Sequence, residues 1–220
     1  MSIINNILWE NLIHKKFSKM SFNSIPEIIQ DIKNGKIVII LDDERENEGD
    51  MIVAAEFANV ENISFMMKYG CGIICTPISA EIAEKFNLTL LPRHGCNDDN
   101  QCFNTVSFDA KDLGGISAID RSKSILTLVL NEASSKDIKI PGHVFPLIAN
   151  SQGLSGRQGH TEAAIELVKL AGLKSAAALV EVMNQNKDKL ATNAELIEFS
   201  QQHGIKIATV RNLINYIYQQ

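Results

Sequence analysis

No stretch of this sequence approaches the roughly 18 consecutive apolar residues that a membrane-spanning helix needs, so no membrane partner is expected. The first twenty residues, MSIINNILWENLIHKKFSKM, mix apolar and charged side chains. They lack the basic start and clean apolar stretch of a secretory signal, and a cytoplasmic location is the expectation. Cysteine is scarce: Cys71, Cys75, Cys96 and Cys102 are the full set, and none forms a C-x-x-C pair. Without an export signal these read as reduced thiols and not as a disulfide framework. A zinc site on His94, Cys96 and Cys102 would need a spacing foreign to the usual zinc patterns. The chain has no basic stripe, which argues against nucleic acid as a partner. It also has no internal repeat, low-complexity tract or linker.

What is present suits one globular unit. The chain has 220 residues, 45% of them apolar and 21% charged, enough to bury a core without staples. The expected division is a leader over 1–22 followed by a catalytic domain over 23–220. Ser24-Ile25-Pro26 opens a helix that Gly35 ends. The β-branched run 37–41 reads as a buried strand, 51–57 as a second, and 72–78, 104–110, 144–149 and 205–210 as others. Asn59, Ser79 and Ser117 are placed to cap helices. Further helices are expected over 161–170, 193–203 and from 211 to about 218. Residues 176–183 fit either a helix, by their alanines, or a strand, by their place between two helices. Residues 88–102 read as a long loop. Interleaved strands and helices predict an α/β layered domain, a mixed β-sheet with helices on both faces.

Three segments look like chemistry. The stretch D-D-E-R-E-N-E-G-D over 42–50 holds six carboxylates and one arginine, which equals the whole net charge of −5. Folding it tightly is unfavourable unless a cation or basic partner offsets the repulsion. Hard carboxylate oxygens suit Mg²⁺, which takes one or two of them and leaves places for water and substrate. The competing reading is a solvated turn. The second segment is Arg157-Gln158-Gly159-His160-Thr161 at a helix start, where free N–H groups and the helix dipole favour an anion such as a phosphate. His160 is alternatively a metal ligand, and Thr161 alternatively a plain helix cap. The third is Pro141-Gly142-His143-Val144-Phe145-Pro146. It reads as a histidine set at the mouth of a strand by a Pro-Gly turn, placed for proton transfer or merely structural. Glu181 stands in an otherwise apolar run and needs a partner if it is buried.

In order, D-D-E-R-E-N-E-G-D, P-G-H-V-F-P-L and R-Q-G-H-T-E-A closely resemble the 3,4-dihydroxy-2-butanone 4-phosphate synthase family of riboflavin biosynthesis, from about residue 25 to 217. The resemblance implies a Mg²⁺-dependent (or Mn²⁺-dependent) lyase. It converts D-ribulose 5-phosphate to 3,4-dihydroxy-2-butanone 4-phosphate and formate, as a homodimer. It implies metal ligation by Glu46 and His160, and catalysis by His143 and Glu181. Substrate contacts are implied for Arg45, Glu46, Asp50, Arg157, Gln158, Gly159, His160, Thr161 and Glu181, with Cys75 near the site. The GTP cyclohydrolase half of bifunctional relatives is not expected here. Four departures stand out. The acidic stretch is one acidic residue short. Leu113-Gly114 replaces a Thr-Thr pair, Ile140 replaces the arginine before Pro141, and Val180 replaces a cysteine. They keep two alternatives in view: a diverged paralogue acting on a related phosphosugar, and a weakly active protein that binds a phosphorylated ligand.

Overall fold

The structure, a computed structural model, describes residues 22–42, 44–70, 72–92 and 102–218. The leader helix expected over 7–14, and His94 and Cys96 of the zinc alternative, lie outside the described residues. In chain order the elements are α1 (Ile25–Lys33), β1 (Val38–Asp42), β2 (Glu48–Ala54), α2 (Val60–Tyr69), β3 (Cys75–Ile78) and α3 (Ala80–Lys85). Next come β4 (Phe103–Asn104), β5 (Phe108–Ala110), α4 (Ala118–Thr127), β6 (Ile138–Ile148) and α5 (His160–Leu170). The last are β7 (Ala177–Glu181), α6 (Asn193–His203), β8 (Ile207–Thr209) and α7 (Val210–Tyr218).

Among the described residues the strands form one eight-stranded mixed sheet in the order β4-β6-β3-β7-β2-β1-β8, with β5 also paired to β6. The pairs β1/β8 and β3/β6 are parallel, whereas β1/β2, β2/β7 and β3/β7 are antiparallel. The central strands read as continuous apolar runs because both faces are covered. Ile39, Leu41, Met51, Val53, Ala178 and Val180 join one core, with Ile63 and Met66 of α2, Ile125 of α4 and Leu196 of α6. The intervening Val38, Ile40, Ile52, Ala54, Ala177 and Leu179 join the other, with Ile28 and Ile32 of α1, Leu167 of α5 and Leu213 of α7. Side chains alternate along a strand, so one sequence feeds both layers. The expected α/β sheet with helices on both faces is what the chain forms.

Local chemistry sets the helix ends. The Glu27 carboxylate accepts the Ser24 N–H at 2.9 Å, and the Asn59 side chain accepts the Asn62 N–H at 2.9 Å. Gly35 follows α1 with φ of +74°, where a side chain would be strained. The ambiguous 176–183 segment is strand β7: its place between β2 and β3, buried on both faces, overrides the helix preference of alanine.

Other boundaries differ from expectation. The second strand begins at Glu48, so part of the acidic stretch belongs to the sheet, and the chain leaves the strand in a 3₁₀ turn at Ala55–Phe57. The run 104–110 is broken into β4 and β5. The third strand is confined to Cys75–Ile78. The largest correction concerns Pro141-Gly142-His143, which is no turn at a strand mouth. Strand β6 runs for 11 residues straight through it. The β5–β6 register jumps there: Phe108 faces Val144 but Asp109 faces Lys139, so residues 140–143 bulge from the ladder. Proline has no N–H to lose, and side chains serve the next two amides. Gly142 N–H donates to Ser107 Oγ at 3.2 Å, and His143 N–H to Asp109 Oδ1 at 2.9 Å.

Gly142 allows this crossing, since a Cβ on it would lie 2.0 Å from the Phe108 carbonyl carbon and 2.2 Å from the Asp109 nitrogen. Both are backbone atoms and cannot swing aside. Gly142→Ala is therefore expected to destabilise the fold by at least about 1–3 kcal/mol, read as a lower urea midpoint at unchanged m-value.

Candidate active site

Strand alternation assembles the acidic group. Asp42, Glu48 and Asp50 share the parity of Val38, Ile40 and Ile52, and Glu181 that of Leu179, so all four point to the layer holding α5. Asp42 stands opposite Glu48 in the β1–β2 ladder, and Asp50 opposite Glu181 in the β2–β7 ladder. Cys75 of β3 faces Leu179 of β7 and Phe145 of β6, each two residues from Glu181 and His143 in their own strands. Segments distant in sequence thus meet at one end of one face.

The loop between β1 and β2 is folded by its own first carboxylate. Asp42 Oδ1 accepts the N–H groups of Glu44 at 3.3 Å and Arg45 at 3.0 Å. Asn47 completes the turn with φ of +55°. This aims Glu46 at the start of α5, where His160 Nδ1 lies 3.5 Å from Glu46 Oε2 and 3.5 Å from Asp50 Oδ2. Arg45 Nη1 donates to the Gln158 carbonyl at 3.1 Å and ties the loop to that segment. Opposite, Gly72 makes room for Glu181: a Cβ there would sit 2.9 Å from Glu181 Oε2.

Arg157 is buried in a pair with Glu162 at 2.7 Å, its second Nη donates to Cys102 Sγ at 3.0 Å, and Glu46 is 3.9 Å away. Glu162 also accepts the Asn150 N–H at 2.9 Å. Gly159 is the N-cap of α5 and offers no side chain, so Thr161 is not the cap; it sits within the first turn with its hydroxyl 3.6 Å from Cys102 Sγ. The first-turn amides of α5 thus receive no cap from the N-cap side chain, the condition an anion site requires.

The charges explain one another. Burial chiefly pushes the Asp50 carboxyl up to about 7, with Glu181, Glu48 and Glu46 adding to it. Burial alone would lower His160, but Asp50, Glu46 and Asp42 outweigh it and hold the ring up at about 9. The hydrogen-bonding His160 in turn holds Glu46 below the usual carboxylate range. Glu48 is raised by its own burial and by Glu46 and Glu181. The imidazolium is the local cation among these acids. Burial pushes the Cys75 thiol up to about 12, so it is no nucleophile at neutral pH.

A divalent ion fits this donor set. Asp42 Oδ2, Asp50 Oδ1 and His160 Nε2 are buried without a hydrogen-bond partner, a cost that a ligand would relieve. Among the described residues no three His, Cys, Asp or Glu side chains form a ready-made metal cage. A separate cavity of about 360 Å³, lined by Tyr69, Val182, Phe199 and His203, contains none of these groups.

Two site residues had escaped the sequence reading. Glu162 lies inside the quoted R-Q-G-H-T-E-A motif, five residues from the arginine it pairs with. Asp109, 1% exposed, bonds the His143 ring, with Oδ2 2.8 Å from Nδ1. Its signal was an aspartate in a strand otherwise destined for the core. His143 itself keeps a side chain 41% exposed.

Comparison with known proteins agrees with this fold. Residues 26–216 match the family model described as 3,4-dihydroxy-2-butanone 4-phosphate synthase. The chain is similar to the 3,4-dihydroxy-2-butanone 4-phosphate synthase of Pseudomonas aeruginosa, 42% identical over 90% of this chain and 54% of that protein. It is also similar to the riboflavin biosynthesis protein RibBA of Bacillus subtilis, 41% identical over 90% of this chain and 50% of that protein. The chain spans about half the length of these curated relatives. A solved 3,4-dihydroxy-2-butanone 4-phosphate synthase in complex with two magnesium ions superposes with a TM-score of 0.83 at 34% identity, covering 90% of this chain and 98% of the other. With the three motifs converging on one face of a shared fold, the chain belongs to the 3,4-dihydroxy-2-butanone 4-phosphate synthase family.

Proposed function

We propose that the chain is a lyase of riboflavin biosynthesis that converts D-ribulose 5-phosphate to 3,4-dihydroxy-2-butanone 4-phosphate and formate, with Mg²⁺ or Mn²⁺ held by Glu46 and His160. The observation that carries the reading is the cluster at the start of α5, where His160 lies 3.5 Å from both Glu46 and Asp50, and Asp50 stands opposite Glu181 in the sheet. A divalent ion at this place supplies a Lewis acid for the ketose oxygens. The chain's own groups do the rest. Asp50 and Arg45 face the sugar, while the N-terminal turn of α5, with Gly159 and Thr161, faces the phosphate. Arg157 is held behind that turn by Glu162, which offsets its charge. Glu181 and His143 move the protons needed for enediol formation, dehydration and loss of one carbon. The phosphate anchors the substrate away from the reacting carbons. The reading includes a homodimer in the cytoplasm, for which the exposed Ile116, Ile119 and Ile140 offer apolar surface.

A second reading, a related phosphosugar as substrate, is favoured by Ile140. It is 46% exposed and apolar, immediately before the Pro141-Gly142-His143 bulge. A panel of pentulose and hexulose phosphates separates the two: the first reading requires ribulose 5-phosphate to have the highest kcat/KM.

Purified protein with ribulose 5-phosphate and Mg²⁺ is expected to release formate, and His143→Ala to lower kcat by about 10²–10⁴-fold. Formate at the level of the His143→Ala control would overturn the assignment. Metal binding is expected to depend on pH. His160 carries a proton up to about pH 9, so ligation must displace it and affinity falls as pH falls below that value. Calorimetry in buffers of different ionisation enthalpy should read about one proton released per ion near neutral pH. Glu46→Gln should weaken the ion by about tenfold or more.

A further inference from the structure

We propose that Asp109 is the positioning residue that fixes the tautomer and direction of the His143 ring; this rests on the reading of His143 as a proton-transfer group. Asp109 is 1% exposed and spends both carboxylate oxygens on one residue. Oδ1 accepts the His143 backbone N–H at 2.9 Å, and Oδ2 meets ring Nδ1 at 2.8 Å. A carboxylate only accepts, so Nδ1 must carry the hydrogen and the lone pair of the neutral ring is left on Nε2. Nδ1 thus faces the buried carboxylate while the side chain as a whole stays 41% exposed. Substrate entering from solvent meets a ring whose accepting nitrogen is already chosen.

The bulge makes this possible. The register jump between Phe108 and Asp109 lifts residues 140–143 of β6 over β5, and Gly142 lets the two backbones cross. Charged neighbours are few: Lys139 is the register partner of Asp109, and Arg121 of α4 feels its charge. A purely structural role in the bulge would need Oδ1 alone, because the backbone amide is the group the ladder leaves unpaired. The second bond, to the ring, does nothing for the bulge.

The chemistry singles out a carboxylate. An asparagine has one accepting oxygen. If it serves the backbone N–H, the amide NH₂ faces Nδ1 and forces the hydrogen onto Nε2, the opposite tautomer. Asp109→Asn is therefore expected to invert the tautomer in a protein that still folds, and Asp109→Glu to restore it in part.

The test combines ¹⁵N–¹H correlation spectra of the imidazoles with formate kinetics, for wild type, Asp109→Asn and Asp109→Glu. Spectra are recorded at a pH where the ring is neutral, and His143→Gln assigns its signals. The expected result is an Nδ1–H tautomer in wild type and Nε2–H in Asp109→Asn. With it, kcat falls by about 10²–10⁴-fold while KM stays within about threefold, and Asp109→Glu recovers at least a tenth of the lost rate. An Nε2–H tautomer in wild type overturns the proposal even if Asp109→Asn fails to fold. So does an Asp109→Asn protein with unchanged tautomer and kcat, or a loss seen in KM alone. Absence of formate from wild type would overturn the lyase reading instead, and the tautomer spectra would still decide the role of Asp109.

Discussion

Asp50 and Glu181 stand directly opposite each other on neighbouring antiparallel strands, and Asp42 and Glu48 do the same one strand pair away. Like charges in register are unfavourable in any sheet, and more so when one of them is buried. The sheet tolerates this because a positive group enters from outside it. Helix α5 begins over this end of the face, and its first residue, His160, lies between Glu46 and Asp50. The helix contributes its positive N-terminal dipole and a charged ring together. The acidic hairpin, the placement of α5 and the unpaired atoms of Asp42, Asp50 and His160 are therefore one constraint: the group asks for a cation and holds a protonated histidine in its place.

The parts of the fold written in local pattern were legible. The helix caps at Asn59, Ser79 and Ser117 and the buried run that became β1 depend on neighbours within a few residues. What could not be read was set by pairing across the sheet. Glu48 and Gly49 look like loop until the β1 partners Asp42 and Leu41 draw them into a ladder. Pro141 and Gly142 look like a turn until Ser107, just before β5, and Asp109 within it accept the amides that follow the proline. Ala177 and Ala178 look helical until two strands flank them.

The candidate site divides the same way. Arg45, Glu46, His160 and Glu181 were named from motif and resemblance, and the structure brings Glu46, Asp50 and His160 within ion-pair distance. Thr161 lost its role as helix cap because Gly159 takes that position. Arg157 was implied as a substrate contact, whereas its guanidinium pairs with Glu162, five residues on in the first turn of α5, and is buried with it. Neither fact follows from spacing alone, since the direction of a guanidinium depends on which carboxylate the helix turns toward it.

Two aspartates show how far environment separates identical side chains. Asp50 and Asp109 are 3% and 1% exposed, and both lie next to a histidine. Asp109 has an N–H donor for one oxygen and a ring nitrogen at 2.8 Å for the other, so its capacity near His143 is spent. Asp50 meets His160 only at 3.5 Å and keeps Oδ1 unpaired, and its burial, with neighbouring carboxylates adding to it, pushes its pKa up to about 7. The first therefore has a partner on each oxygen. The second keeps a buried oxygen with no donor. Burial is nearly the same in both, and the supply of donors decides which aspartate has both oxygens partnered and which keeps one without a donor.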